Sequence, residues 1–204
     1  MGGWTPVGRS GARWAPVGWT GAALDGVLRR SAPVHADARG AFSEIWRASL
    51  TDPLGGETFV QANLSRSQAG VLRGMHFHRR QVDLWTVIEG RALVALADLR
   101  ALAGGAGGAE GAGGAGVDGV VGRPAVETFE LAPGDAVYIP RLVAHGFYAL
   151  ESMAMIYLVS NEYDGSDEQG FAWNDPAAAI PWPDVEPILS DRDRSNPPLA
   201  EALR

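Results

Sequence analysis

The chain has 204 residues, 46% of them hydrophobic, with 17 basic residues against 24 acidic ones for a net charge of −7. That length buries one full core, and that charge argues against a nucleic-acid partner, which calls for a basic face, while leaving room for a small anionic substrate held by a few placed arginines. The absence of cysteine excludes disulfides and thiolate chemistry, and the absence of lysine excludes Schiff-base and lysine acid–base chemistry.

No apolar run reaches the roughly 18 residues of a membrane span, and the first residues lack a charged-then-apolar signal pattern. No membrane partner and a cytoplasmic location are therefore expected. Residues 1–25 hold a near repeat, Trp4-Thr5-Pro6-Val7-Gly8 and Trp14-Ala15-Pro16-Val17-Gly18, with neither a helical nor a strand period. They are expected to form a flexible extension to a domain spanning 26–204. Leu84 to Leu99 is rich in β-branched and aromatic residues, broken by Glu89-Gly90, which signals a hairpin turn. Residues 103–119 are nearly all Gly and Ala, with too little side chain to bury, and are expected to be a mobile loop joining two strands. Glu127–Leu131 reads as a strand; Pro133-Gly134-Asp135 turns into another over Ala136–Pro140, and His145–Leu150 and Ala154–Ser160 follow. The tail from Pro197 to Arg204 has room for one or two helical turns. Many short strands between Gly and Pro turns predict an all-β sandwich or barrel with a short helical tail.

Three of the four histidines, His76, His78 and His145, belong to this strand-rich region. Alternate residues of a strand face one side, so His76 and His78 are expected to point together into the lumen. Such imidazoles serve as base, as structural hydrogen-bonding groups or as metal ligands. The spacing Gly70, His76, His78, Asp83, Gly90, and later Gly134, Pro140, His145, resembles the two motifs of the cupin superfamily. Asp83 stands in place of Glu, and Leu142 and Ala149 depart from the second motif. One reading has His76, His78, Asp83 and His145 hold a divalent transition metal such as Fe, Mn, Ni or Zn. The other has His76 act as a general base.

A more specific resemblance covers about Arg39 to Asp193. It rests on Asp37-Ala38-Arg39-Gly40-Ala41-Phe42-Ser43-Glu44, Gln61-Ala62-Asn63-Leu64-Ser65, Gly70 through Phe77, Ala144-His145-Gly146-Phe147, Tyr157 through Tyr163, Ile180-Pro181-Trp182-Pro183 and Leu189-Ser190-Asp191-Arg192-Asp193. In order and spacing these resemble the dTDP-4-dehydrorhamnose 3,5-epimerase family, a metal-independent branch of the cupins. The resemblance implies a cupin-type β-barrel or jelly roll, a dTDP-4-keto-6-deoxy sugar as substrate, and inversion at C3, C5 or both through an enolate without a cofactor. It implies His76 as base, Asp193 as the carboxylate that hydrogen-bonds it, and Tyr157 as the acid on the opposite face. Arg39, Glu44, Gln61, Asn63, Arg73, His145 and Tyr163 take substrate-binding positions. A homodimer is implied, its N-terminal strand lending Arg39 to the partner's pocket.

Each assignment has a plainer counterpart: Tyr157 as core, Asp193 as the cap of a turn, Arg73 as an interface residue, Tyr163 as cover of the pocket mouth. The chain also departs from the family, which has a lysine where Asp83 stands and a neutral residue where His78 stands. A carboxylate opposes a developing enolate. Either Arg73, Arg79 or Arg80 replaces the lost cation with Asp83 paired to it, or the stereochemical range has changed, or a metal supplies the charge. A binding protein without turnover is the remaining alternative.

Overall fold

A computed structural model describes residues 19–103 and 122–204. The Trp-Pro-Val-Gly repeats and, apart from Ala103, the Gly/Ala stretch lie outside the described residues. In chain order the elements are β1 (Thr20–Gly21), β2 (Leu28–Ser31), β3 (His35–Asp37), β4 (Gly40–Phe42), a 3-10 helix (Ala48–Leu54), β5 (Gln61–Ser67), β6 (Leu72–Phe77), β7 (Asp83–Glu89) and β8 (Ala92–Asp98). Then come α1 (Arg100–Ala103), β9 (Ala125–Leu131), β10 (Asp135–Ile139), β11 (Val143–Ala149), β12 (Met153–Val159), β13 (Gln169–Gly170), α2 (Asp191–Ser195) and α3 (Leu199–Ala202).

Two antiparallel sheets face each other, one ordered β1-β2-β10-β7-β12-β5 and the other β13-β6-β11-β8-β9. Strands β3 and β4 form a separate, fully exposed hairpin. The expected cupin-type, all-β architecture is present. Val87, Val137 and Met155 from the first sheet meet Val94, Leu96 and Phe147 from the second in one buried cluster. Ala95 and Ala97 point the other way, under Phe171, Ala178 and Leu199 of the C-terminal region. Leu84, Ala136 and Tyr138 are capped on their outer face by Leu54 of the 3-10 helix. Central strands buried on both faces read as continuous apolar runs, as β7 and β8 do.

Two expectations are corrected. Glu89-Gly90 does not close a hairpin: β7 pairs with β10 and β12, and β8 with β11 and β9. The turn instead carries the chain across a corner from one sheet to the other. A second corner, between β11 and β12, stacks on it. Leu150 N–H donates to the Arg91 carbonyl at 3.0 Å, and a Cβ on Gly90, at φ +68°, would sit 2.3 Å from the Ser152 carbonyl oxygen. A two-residue turn signal specifies reversal, and only the burial of both faces of both strands specifies a change of sheet. The N-terminal extension also does not run to residue 25. Thr20 and Gly21 pair with β2, Trp19 donates its indole N–H to the Leu50 carbonyl at 3.0 Å, and Leu24 and Val27 are buried.

The turn before β10 forms as expected, with Asp135 N–H donating to the Ala132 carbonyl and Asp135 Oδ2 accepting from Ala132 N–H, each at 2.9 Å. The tail forms α3 as expected, and also α2, which its polar composition hides. Among the described residues no helix is long and apolar enough to cross a membrane.

Candidate active site

A cavity of about 430 Å³ opens between the two sheets. The two-residue period of the strands supplies its walls: Gln61, Asn63 and Ser65 from β5, Asp83 and Trp85 from β7, Met155, Tyr157 and Val159 from β12, His145 and Phe147 from β11. Strand β6 adds Arg73 and His76, and the tail adds Ser190, Arg192 and Asp193.

His76 lies opposite His145 in the β6–β11 ladder. These strands approach closely where Gly74 faces Gly146. A Cβ on Gly74 would lie 2.6 Å from Gly146 Cα, and one on Gly146 would lie 2.8 Å from the Arg73 carbonyl oxygen. The ladder shifts register between His145 and Phe147, with one extra residue on β6, so that Arg73 and His76, three residues apart, both line the cavity.

The tail crosses the cavity and sets Asp193 against the base candidate. His76 Nε2 lies 2.6 Å from Asp193 Oδ1, a charge-assisted length. A carboxylate only accepts, so Nε2 carries the hydrogen and Nδ1 keeps the lone pair. Ser190, the N-cap of α2, accepts from Asp193 N–H at 3.1 Å and donates to Asp193 Oδ2 at 2.8 Å. Burial alone would push the Asp193 carboxyl up, but the hydrogen bond and charge of His76, the Ser190 hydroxyl and the Gly74 N–H bring it below the ordinary aspartate range. Asp193 therefore belongs to a cap and to the histidine at once, which merges the two readings of it.

Tyr157 stands on the other sheet, beside Asn63 and Trp85 in register. Burial raises its phenol, the charges of Asp83 and Glu168 raise it further, and Arg73 opposes them. It keeps its proton at neutral pH and is available as an acid. It is not plain core, since it lines the cavity.

Asp83 is where sequence and structure diverge most. It points into the lumen, accepting from Gln81 Nε2 at 2.8 Å and Trp85 Nε1 at 3.1 Å. The expectation that an arginine pairs with it is overturned. Arg79 donates to Gln169, Arg80 engages Asp164 and Asp167, and Arg73 donates to Ser67 Oγ and the Arg66 carbonyl. Arg80 follows Asp167, whose carboxylate also accepts the backbone N–H groups of Arg79, Arg80 and Gln81. Nothing in the sequence marks that role. His78 and His145 lie beside Asp83, their Nε2 atoms 3.9 and 3.8 Å from its oxygens, while His76 is committed to Asp193. Of the four alternative metal ligands, three are thus brought together and His76 is not.

Gln61 donates to Asn63 Oδ1 at 2.8 Å and accepts from Tyr163 N–H at 2.9 Å. Tyr163 lines the cavity while remaining largely exposed, which suits its place at the mouth. Arg39 and Glu44 do not reach this cavity: Arg39 is fully exposed on the β3–β4 hairpin and pairs with Asp37, and Glu44 pairs with Arg47 at 3.3 Å. Trp85, Ser190, Arg192 and Glu168 are lining residues missed in the sequence. Trp85 was recoverable from its i+2 relation to Asp83, and Ser190 from its cap spacing to Asp193.

Residues 21–108 and 122–201 match the family model of dTDP-4-dehydrorhamnose 3,5-epimerase. The chain belongs to this family. It is 33% identical over 180 residues to a dTDP-4-dehydrorhamnose 3,5-epimerase of Streptomyces griseus, covering 83% of this chain and 80% of that one. It is 34% identical over 190 residues to a dTDP-4-dehydrorhamnose 3-epimerase of Streptomyces niveus, covering 88% and 82%. Among solved structures it resembles a 4-keto-6-deoxy sugar epimerase from the novobiocin biosynthetic gene cluster of Streptomyces spheroides, with a TM-score of 0.74, 31% identity, and 90% and 88% of the two chains covered. The expectation of a cupin-fold nucleotide-sugar epimerase holds.

Proposed function

We propose that this chain inverts C3, C5 or both of a dTDP-4-keto-6-deoxyhexose, with His76 removing a proton beside the ketone and Tyr157 returning one from the other side. The C4 ketone makes the hydrogens on C3 and C5 acidic. His76 Nδ1 takes the proton, the C–H electron pair passes into an enolate, and the Tyr157 hydroxyl delivers a proton to the same carbon on its opposite face. Asp193 fixes the ring tautomer and gives the imidazolium a counter-charge, as a carboxylate does for a catalytic histidine elsewhere.

The observation that carries this reading is the opposition of the two groups. His76, backed by Asp193 of α2, sits on β6 in one sheet and Tyr157 on β12 in the other, and both line one cavity. Inversion needs a base and an acid on opposite faces, and a binding site needs neither. Gln61, Asn63, Arg73, His145 and Tyr163 are assigned to the substrate, with Arg73 facing its anionic part.

The working form is proposed to be a cytoplasmic homodimer. The β3–β4 hairpin exposes Val34, Phe42 and Arg39, and β5, an open sheet edge, exposes Leu64. Open edges of this kind favour pairing, and Arg39, which pairs with Asp37 away from its own cavity, is then assigned to the partner's cavity.

The test is incubation with dTDP-4-keto-6-deoxyglucose followed by proton NMR. Changed ring coupling constants at C3 or C5 identify the inverted centre. Saturable binding with unchanged coupling constants would make the protein a sugar-nucleotide binder.

A further inference from the structure

The proton transfer above leaves two buried groups beside the cavity, His78 and Asp83, without a task, and His145, assigned above to the substrate, lies against them. His78, Asp83 and His145 are each less than a tenth exposed, and their ligand atoms lie within 4.8 Å of one another.

Both imidazoles are turned the same way. His145 Nδ1 lies 3.1 Å from the Val143 carbonyl oxygen, and His78 Nδ1 lies 3.1 Å from that of Asp167. A carbonyl only accepts, so each Nδ1 carries a hydrogen and each neutral ring presents a bare Nε2 inward. The Gln81 amide agrees: its nitrogen donates to Asp83 Oδ1 at 2.8 Å and lies 3.2 Å from His78 Nε2, which must then accept. Lone pairs thus face a carboxylate at 3.8 and 3.9 Å. Arg79 and Arg80 turn to Gln169, Asp164 and Asp167.

We propose that His78 Nε2, His145 Nε2 and the Asp83 carboxylate bind a divalent transition-metal ion. Two imidazoles and one carboxylate form a borderline donor set suited to Zn, Ni, Co or Fe. The Nδ1–H to carbonyl bonds are the outer contacts that orient metal-binding histidines, and Trp85 Nε1 steadies Asp83 in the same way. Ligands of a tetrahedral ion with bonds of about 2.1 Å stand roughly 3.4 Å apart, so the trio, whose ligand atoms lie within 4.8 Å of one another, closes by at most about 1.4 Å on binding. Gln81, half-buried at the cavity, is the group that swings aside. His76 is not a ligand, because Asp193 holds it. The cation answers a charge imbalance: Asp83, Asp164, Glu168 and Asp193 line the cavity against Arg73 and Arg192. The site stands on ligand geometry and does not rest on the epimerase chemistry; only its value to an anionic substrate does.

The experiment uses full-length protein purified without a chelating tag, stripped with a chelator and titrated with cobalt(II). Metal per chain is read by equilibrium dialysis with elemental analysis, and coordination by visible absorption. One ion per chain with a ligand-field band is expected. Asp83→Asn and His145→Gln should each weaken binding more than about 100-fold, beyond the loss of an outer hydrogen bond, while His76→Asn keeps one ion per chain. Near-UV circular dichroism confirms that the variants are folded. No stoichiometric ion in folded wild-type protein, or affinity unchanged in both ligand variants, overturns the proposal. Because no substrate is present, that failure leaves the epimerase assignment untouched, and inactivity toward the sugar leaves the metal result untouched.

Discussion

His76 Nε2 and Asp193 Oδ1 lie 2.6 Å apart across 117 residues of chain, joined where the tail of the protein folds back over β6. Asp193 is only 3% exposed and is held by Ser190 as well. Removing the carboxylate releases the histidine tautomer. Asp193→Asn should keep the fold while kcat falls by roughly 10²–10⁴, as when a catalytic histidine loses its orienting carboxylate. Steady-state kinetics on folded variant checks this, and a change confined to KM would place Asp193 in binding instead.

The same carboxylate predicts a pH dependence of stability. Its folded pKa lies below its unfolded value, which is about 3.9 for aspartate. The stabilisation is therefore fully present above pH 4 and is lost as pH falls through the lower folded value. The difference in urea stability between wild type and Asp193→Asn should be larger at pH 6 than at pH 3, shrinking as pH falls below about 4. A constant difference across that range would contradict the assignment.

Tyr157 makes the opposite alkaline prediction. Its phenol is raised above the ordinary value of 10, and an acid works only while protonated. Inversion should hold to at least pH 9 and decline only as pH rises through a pKa above 10. Tyr157→Phe should lower inversion by more than about 10², within the usual worth of a positioned acid.

Gly74 links the fold to the site. With φ at +128° and Gly146 Cα 2.6 Å from a prospective Cβ, Gly74→Ala forces β6 away from β11. A loss on the order of 2–4 kcal/mol is expected, from backbone strain and overpacking together, together with lost activity because His76 sits two residues on. Thermal unfolding and turnover measured on one preparation test both halves.

Arg39 tests the assembly. If the β3–β4 hairpin serves a partner's cavity, Arg39→Ala and His76→Asn chains, each nearly inactive alone, should complement when mixed as dimers. About a quarter of wild-type activity is expected, since half the dimers of a random mixture carry one intact site of two. No recovery, in mixed dimers shown to form, would return Arg39 to its own chain.

Much of this site was legible because its elements are local and periodic. His76 was marked by strand alternation and motif spacing, and Tyr157, Gln61 and Asn63 by the family resemblance. Strands β7 through β12 were found to within two residues. What the sequence concealed was non-local. Glu89-Gly90 reads the same whether it closes a hairpin or turns a corner, and only the burial of both strand faces decides. The arginines near Asp83 looked like its partners by proximity in sequence, yet their guanidinium groups turn to residues far downstream, Arg79 to Gln169 and Arg80 to Asp164 and Asp167. Short α2 is hidden because its polar residues serve a cap and a histidine and present no apolar stripe.

The most direct test of the central claim is turnover of dTDP-4-keto-6-deoxyglucose in deuterium oxide, with NMR at C3 and C5, for wild type and His76→Asn. Wild type should incorporate solvent deuterium at the inverted carbon, and His76→Asn should incorporate none at that carbon on the same timescale. Bound substrate without deuterium in the wild type, or undiminished exchange without His76, would contradict proton abstraction by this histidine.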